Sequence, residues 1–541
     1  MSSLPIARDS HEDDLADEAS SPVSQGEPLP LAVTVFVIAL ALGSRLVYLF
    51  VGGDPQNAGD GMTDTYHHWQ IAYLTQQVGL SHGFRLWDLK GLEYFWGILH
   101  PIILVALFRI TQSIDIIVAR LVSIAAGTSI VVLLFHLCRR YWGNQVAYAT
   151  AAFAAFAPPV VFSDTLGMVE PIAVALVLLG IWWLPSRGFL SGVAWALAAM
   201  ARAEAWLFTF GLLIATAFQR VSFERRLPLL IGWAVGIGVY MKILLDRTGN
   251  PIYPIYWEFL VEGTGKWLGP ATSSQLQYKL AFAVLLLACG AGALWTLWRR
   301  PAGYLLLCYG FGSSGFVLGL LAFTPFISSW SGWVWRMRLF SFSLEFVAIL
   351  AAVAIVTVLD RYLGQGRRFA VWGTAAVALV ATQLSWIPIQ SAYAQTEPTW
   401  HESLSSGQYL ARLYREPAHH WGKLNIPADQ PTLTYTLARF GGVRGADLVG
   451  QLYDPFYDQP AGYRYEDHPL TASRLMACWL SSTNTSVFVV PQSNRNYMAF
   501  LAANAADFSE IGRLSERGWL VESITSPAAV AATCSQSGVP Q

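Results

Sequence analysis

What most constrains this chain is a succession of apolar runs through residues 31–389, most of them long enough to cross a bilayer as a helix. The hydrocarbon core is about 30 Å thick and takes roughly 20 apolar residues per helical crossing. By hydropathy the runs fall at 31–50, 117–138, 145–161, 168–185, 189–201, 204–217, 227–245, 279–297, 303–324, 338–360 and 369–388. Only 13% of the 541 residues are charged, against about 25% in an ordinary soluble domain, too few to solvate a globule of this size. The 22 Trp and 22 Tyr suit a protein with two membrane–water interfaces. The expected fold class is a polytopic α-helical membrane protein.

Basic residues orient the runs, because Lys and Arg collect in cytoplasmic loops. Arg139/Arg140, Arg220/Arg225/Arg226, Arg299/Arg300 and Arg361/Arg367/Arg368 all read as cytoplasmic. These assignments agree only if 189–217 is a hairpin with Arg202 and Glu204 at its outer tip. They also require the run 97–112 to stay outside as a juxtamembrane or half-inserted helix. The count is then about 11 transmembrane helices, N-terminus cytoplasmic and C-terminus outside.

Residues 1–30 form an acidic, Ser/Pro-containing tail with Asp9, Glu12, Asp13, Asp14, Asp17 and Glu18. It lacks the basic n-region and short apolar core of a signal peptide and reads as a disordered cytoplasmic leader. Residues 390–541 regain charges, Pro and Asn, and no spanning run follows. A β-rich stretch, Ser486–Val490, and a helical one, Tyr497–Ala506, mark a soluble extracytoplasmic α/β domain. Cys138, Cys289 and Cys308 sit in or beside apolar runs and read as packing residues. Cys478 and Cys534 lie in the polar C-terminal region, where an extracytoplasmic location would let them pair. With net charge −1 and no Lys/Arg stripe interleaved with aromatics, the chain has no nucleic-acid signature.

Charged groups at membrane depth are costly, so those that occur are functional candidates. The outer-face set holds Asp60 and Asp64 with His67 and His68, Asp164 with Glu170, and Arg120, Arg202, Arg247, Arg336 and Arg338. Sugar transfer from a lipid phosphate needs a carboxylate to accept the acceptor's proton. It also needs cations or a metal to hold the departing phosphate, on which negative charge builds. Hard oxygen ligands would suit Mg²⁺ or Mn²⁺. Each residue also fits a plainer role. Asp54, Asp60 and Asp64 read equally as loop aspartates, and Asp164 as a helix cap. Arg202 and Glu204 fit an ion pair at a turn, and Arg336 and Arg338 fit headgroup anchors. Arg45, inside the first run, reads as snorkelling outward.

Several stretches carry a family resemblance. Asp64-Thr65-Tyr66-His67-His68 is similar to the Asp-x-Tyr-x-His stretch of oligosaccharyltransferase subunits. Tyr94 to Pro101 resembles the stretch before a His-Pro-Pro-Leu element, with His100-Pro101-Ile102-Ile103 in its place. Arg120-Leu121-Val122-Ser123 with Arg139-Arg140-Tyr141-Trp142-Gly143 resembles a second span and its basic turn. Ala157-Pro158-Pro159, Ser163-Asp164 and Glu170-Pro171 resemble a second acidic site. Ala201-Arg202-Ala203-Glu204 resembles a short-helix hairpin, and Arg336-Met337-Arg338 the start of a late span. Together, over about residues 30–390, they resemble the GT-C superfamily: protein mannosyltransferases, aminoarabinose lipid-A transferases and oligosaccharyltransferase catalytic subunits.

The resemblance implies a GT-C-like membrane module over 31–389, with a long first outer loop at 52–116. It implies a membrane glycosyltransferase with a polyprenyl-phosphate-linked sugar as donor and a glycan, lipid or protein as acceptor. Asp64, Asp164 and Glu170 would be catalytic, and Asp64 and Asp164 would hold a metal if one is used. Asp60, His68, Arg120, Arg202, Arg247, Arg336 and Arg338 would bind substrate. Asp64 and Asp164 are expected to share one outward cavity. Residues 390–541 lack the Trp-Trp-Asp-Tyr-Gly motif of oligosaccharyltransferases, which favours transfer of a single sugar. The alternatives are an oligosaccharyltransferase-like enzyme without that motif and a polytopic lipid or sugar transporter. A lipid or sugar transporter would show related halves with a second broken pair, and the sequence has neither.

Overall fold

A computed structural model describes residues 30–58, 63–82, 86, 92–218, 223–257, 276–323, 346–347, 349–353, 355–356, 365–427, 430–450, 454–456 and 464–535. The longer helices begin with α1 (Leu31–Val47), α2 (Thr63–Gln77), α3 (Leu99–Thr111), α4 (Ile116–Trp142), α5 (Asn144–Phe156) and α6 (Pro158–Thr165). They continue with α7 (Glu170–Trp183), α8 (Gly188–Ala201), α9 (Glu204–Ala217), α10 (Phe223–Thr248), α11 (Leu276–Arg299) and α12 (Tyr304–Phe323). After α13 (Gln365–Thr382) and α14 (Trp386–Arg415) come β1 (Lys423–Ile426), α15 (Pro431–Arg439) and β2 (Leu448–Gly450). The chain closes with α16 (Pro469–Ser482), β3 (Thr485–Pro491), α17 (Arg495–Ala503), β4 (Phe508–Leu514), β5 (Trp519–Ile524) and α18 (Pro527–Ser535).

Two compact units result. The first comprises Met1–Ala58, Tyr94–His100 and Ala119–Ala392; the second comprises Gly59–Glu93, Pro101–Val118 and Tyr393–Gln541. The sequence boundary expected at 389/390 falls inside one continuous helix, α14. Residues of the segment expected as the first outer loop, α2 among them, belong to the second unit.

The first unit is helical. Among the described residues, Leu31–Gly52, Ile116–Trp142, Arg226–Thr248, Lys279–Arg299 and Ala375–Arg415 are long and apolar enough to cross a membrane, and the bent pair α5–α6 makes a sixth. The chain is an integral membrane protein. Shorter apolar helices, α7, α8, α9 and part of α12 among them, correspond to runs included in the expected count of about 11. The run expected at 338–360 lies mostly outside the described residues. Small residues let these helices meet closely. A Cβ on Gly192 of α8 would come 2.2 Å from the Leu229 carbonyl of α10, and one on Gly232 would come 2.2 Å from the Phe189 carbonyl. Lipid supplies little hydrophobic drive between helices, so backbone-to-backbone packing of this kind holds them together.

The second unit carries a five-stranded sheet of order β2-β1-β3-β5-β4. β1 runs parallel to β2 and β3, while β5 is antiparallel to β3 and β4. Both faces are covered. Val487 and Val489 of β3 pack with Leu424, Ile426, Leu433 and Leu437 on one side. Phe488 and Val490 pack with Met476, Leu480, Tyr497 and Phe500 on the other. Alternate residues of a strand point to opposite faces, so a run that is apolar throughout demands helices on both. This is the α/β domain expected from Ser486–Val490. Cys478 and Cys534 form a disulfide. Of the free cysteines, Cys138 is buried and Cys289 and Cys308 are half-buried.

Candidate active site

Among the described residues, two interruptions of apolar helices bring buried charges of the first unit together. The first is the break between α5 and α6, where the axis bends by 59°. Proline has no N–H, so Pro158 and Pro159 cannot bond the carbonyls four residues back, those of Ala154 and Ala155. Other groups take those acceptors. Arg45 Nη2 donates to the Ala154 carbonyl (3.1 Å) and Arg45 Nη1 to that of Ala155 (3.3 Å). Ser44 Oγ also donates to the Ala155 carbonyl (2.7 Å), and Gln383 Nε2 donates to that of Phe156 (2.9 Å).

The same Arg45 holds Asp164, with Nε at 2.9 Å and Nη2 at 2.6 Å from Oδ2. Both side chains are buried. Gly127 of α4 leaves room for the acid, since a Cβ there would come 2.2 Å from the Asp164 carboxyl. Arg45 therefore does not snorkel. Tied to a buried acid and to carbonyls stripped by two prolines, it points inward. Asp164 does not cap a helix; its carboxylate is engaged by Arg45.

Arg120 is similarly committed. Its Nε donates to the Thr165 carbonyl (2.7 Å), and Nη1 donates to the carbonyls of Asp54 (2.6 Å), Pro55 (3.1 Å) and Asn57 (2.9 Å). It is buried and fastens the segment after α1 to the end of α6. Ser123, a turn further along α4, donates to the Met168 carbonyl (2.6 Å).

The second interruption lies between α8 and α9. Arg202 is extended there (φ −155°, ψ 142°). Its guanidinium bonds Glu170 Oε1 at 2.8 Å and Glu204 Oε1 at 2.5 Å. One cation faces two carboxylates. Glu204 is 5% exposed, and its Oε2 has no hydrogen-bond partner among the described residues. Arg202 and Glu204 line a cavity of about 370 Å³, open mouth included, together with Phe208, Tyr309, Ser313 and Phe316. A polar head on an otherwise apolar recess between helices suits an amphiphile.

Asp64 stands half-buried in the first turn of α2, in the second unit, and His68 on the same helix is buried. Arg247 is exposed near the end of α10, and its neighbour Asp246 pairs with Lys242. Asp60, Arg336 and Arg338 lie outside the described residues. Among the described residues no group of three or more His, Cys, Asp or Glu side chains converges as a metal site would require. Asp164, one of the two proposed ligands, is already neutralised by Arg45. The described donor set does not fit Mg²⁺ or Mn²⁺, and no step below passes through a metal.

No protein-family model matches the chain, and no curated protein matches it. Solved structures do. ArnT from Cupriavidus metallidurans, bound to undecaprenyl phosphate, aligns with 95% of this chain and 100% of its own at 16% identity and a TM-score of 0.52. Its apo state aligns with 92% of this chain and 99% of its own, again at 16% identity and 0.52. The fold is GT-C-like. The Archaeoglobus fulgidus oligosaccharyltransferase in the apo form aligns with 87% of this chain and 71% of its own, at 12% identity and a TM-score of 0.48.

Proposed function

We propose that this chain transfers a sugar from a polyprenyl-phosphate-linked donor to an acceptor on the extracytoplasmic side of the membrane. The observation that carries the reading is the fold, which matches, over essentially its whole length, a protein bound to undecaprenyl phosphate. The polar-headed cavity between α7, α9 and α12 supports it. The disulfide supports an outside location for the C-terminal unit, because such bonds persist in oxidising compartments. About 11 crossings with the N-terminus inside remain the topology we propose.

In the step itself, an acceptor hydroxyl attacks the anomeric carbon. The new C–O bond forms as the bond from that carbon to the phosphate oxygen breaks, and configuration inverts. Asp64 takes the hydroxyl proton; an acid in a first helical turn meets the positive end of the helix. The polyprenyl phosphate leaves with its negative charge, which a guanidinium must meet. We assign this to Arg247, Arg336 and Arg338. Arg202 is compensated by two acids and Arg120 is bonded to four carbonyls, so neither is suited to it. Asp164 acts through position, and the Glu170–Arg202–Glu204 cluster orients polar groups of the substrate. The sugar and the acceptor class (glycan, lipid or protein) are left to assay.

The test is Asp64→Ala assayed for sugar transfer in membranes from undecaprenyl-phosphate-linked mannose, glucose and aminoarabinose. A base contributes about 10²–10⁴ in rate, so transfer should fall by at least about 100-fold at normal expression. Undiminished transfer would overturn the assignment.

A further inference from the structure

We infer that the C-terminal α/β unit positions the catalytic carboxylate, with Tyr435 and Trp400 as positioning residues for Asp64. The inference rests on the reading of Asp64 as the base. Its observations all lie within the second unit. Tyr66, Trp69 and Tyr73 recur at helical spacing on one face of α2, and all three are at most 3% exposed. That face meets α14 and α15, the helices flanking β1. Tyr66 stacks on Trp400 (6.2 Å between centroids) and tilts against Tyr435 (5.4 Å). Trp69 meets Tyr435 edge-on at 4.9 Å. Trp400 and Tyr435 are themselves 6.2 Å apart.

Directional bonds fix the register. Gln70 Nε2 donates to Thr434 Oγ1 at 3.2 Å, and the Gly445 N–H donates to the Tyr73 hydroxyl at 2.9 Å. The Trp69 indole donates to the Ile114 carbonyl at 2.6 Å, and the Ile116 N–H donates to the Tyr435 hydroxyl at 3.3 Å. Asp115 Oδ1 accepts from the Ile117 N–H (3.0 Å), and Oδ2 pairs with Arg439 of α15 (3.2 Å). Segments from both ends of the first outer loop are thus built into the C-terminal unit. Asp64 lies two residues before Tyr66, so the rings that fix Tyr66 fix the direction in which Asp64 is offered. Aromatic pairs of this kind resist sliding, since each adds about 0.5–1.5 kcal/mol beyond its buried area.

The test uses the full chain in lipid nanodiscs. Tyr435→Leu removes the central ring, Tyr435→Phe keeps it, and Asp64→Cys carries a nitroxide with Cys138, Cys289 and Cys308 replaced by Ala. With the three donors named above, Tyr435→Leu should lower kcat by about 100-fold, the scale of a small misplacement of a reacting group. The donor KM should stay within about twofold, and Tyr435→Phe should keep kcat within about threefold, one hydrogen bond being lost. The nitroxide should be immobilised in the parent and mobile when Tyr435→Leu is added. Normal kcat in Tyr435→Leu, or an unchanged nitroxide spectrum, would overturn the positioning role. If the parent uses no donor, or Asp64→Ala stays fully active, the reading of Asp64 fails instead. The nitroxide arm then still decides whether the C-terminal unit holds α2.

Discussion

Among its described residues the membrane unit breaks its apolar helices at Pro158-Pro159 and at Arg202, and the two breaks treat charge differently. At Pro158-Pro159 one arginine meets one aspartate. Arg45 is wholly buried, and its guanidinium donates to Asp164, to Ser44 and to the carbonyls of Ala41, Ala154 and Ala155. Charge is balanced and the cluster is sealed. At Arg202 one arginine meets two glutamates, the guanidinium keeps 15% exposure, and the cluster opens on a cavity. A buried charge is tolerated when it is paired and bonded, and a surplus acid at the edge of a cavity is not settled in that way. The first break is therefore architecture. At the second, Glu204 Oε2 has no hydrogen-bond partner among the described residues, and such an oxygen beside a cavity is where ligand recognition is expected.

The largest effect should come from unbalancing the first break. Asp164→Asn keeps the shape and removes the anion, leaving Arg45 buried without a counter-ion. Removing one partner of a buried pair costs about 3–5 kcal/mol. Thermal unfolding in detergent should show a large fall in Tm. The double variant Arg45→Met/Asp164→Leu should recover part of it. It removes both charges but leaves the Ala154 carbonyl without its donor. A neutral Asp164→Asn would erase the distinction between the two breaks.

Much of this was legible in the sequence. Helix placement followed from the length of the apolar runs, and the α/β domain from Ser486–Val490 flanked by helical stretches. The break between α8 and α9 at Ala201-Arg202-Ala203-Glu204 announced itself by charges inside apolar surroundings. Arg45 was misread, yet a signal was present. Two consecutive prolines in an apolar run strip two carbonyls of their donors, and a membrane interior supplies no water to replace them. A donor from another helix had to be found, and Ser44-Arg45 and Gln383 are polar residues within or beside other apolar runs. The membership of α2 in the C-terminal unit could not be read in this way. Tyr66, Trp69 and Tyr73 advertise a buried face, but nothing in their spacing says which partner covers it.

A buried acid of the other unit sharpens the comparison, because among the described residues no arginine is bonded to it. Glu522 of β5 is 6% exposed and lies opposite Glu510 in the β4–β5 ladder. Burial first, and then the like charge of Glu510, push its carboxyl up from 4.5 to about 7, against the pull of Arg513. A folded value above the unfolded one means that the protonated form is favoured by folding. The stability it contributes is fully present below the unfolded value near 4.5 and is lost as pH rises through about 7. The C-terminal unit should lose roughly 2 kcal/mol between pH 5 and pH 8. Glu522→Gln should flatten that dependence in melts followed by circular dichroism. An unchanged slope would mean that Glu522 is charged in the folded state and settled by a partner, as Asp164 is.

The smallest expected effect on stability belongs to the second break, and its smallness is the point. Glu204→Gln removes the surplus negative charge, while Glu170 still neutralises Arg202 at 2.8 Å. The amide oxygen can keep accepting from the guanidinium. The change in stability should stay near the worth of one hydrogen bond, about 0.5–1.5 kcal/mol, because Arg202 keeps its Glu170 partner. Sugar transfer from the undecaprenyl-phosphate donors should nevertheless fall, because the carboxylate of a cavity-lining residue is gone. Unfolding and turnover have to be measured on the same preparation, since the contrast lies between them. A loss of stability like that of Asp164→Asn, with turnover falling in proportion, would make the second break architectural as well. Glu204 would then be holding α8 against α9 in the way Arg45 holds α5 against α6.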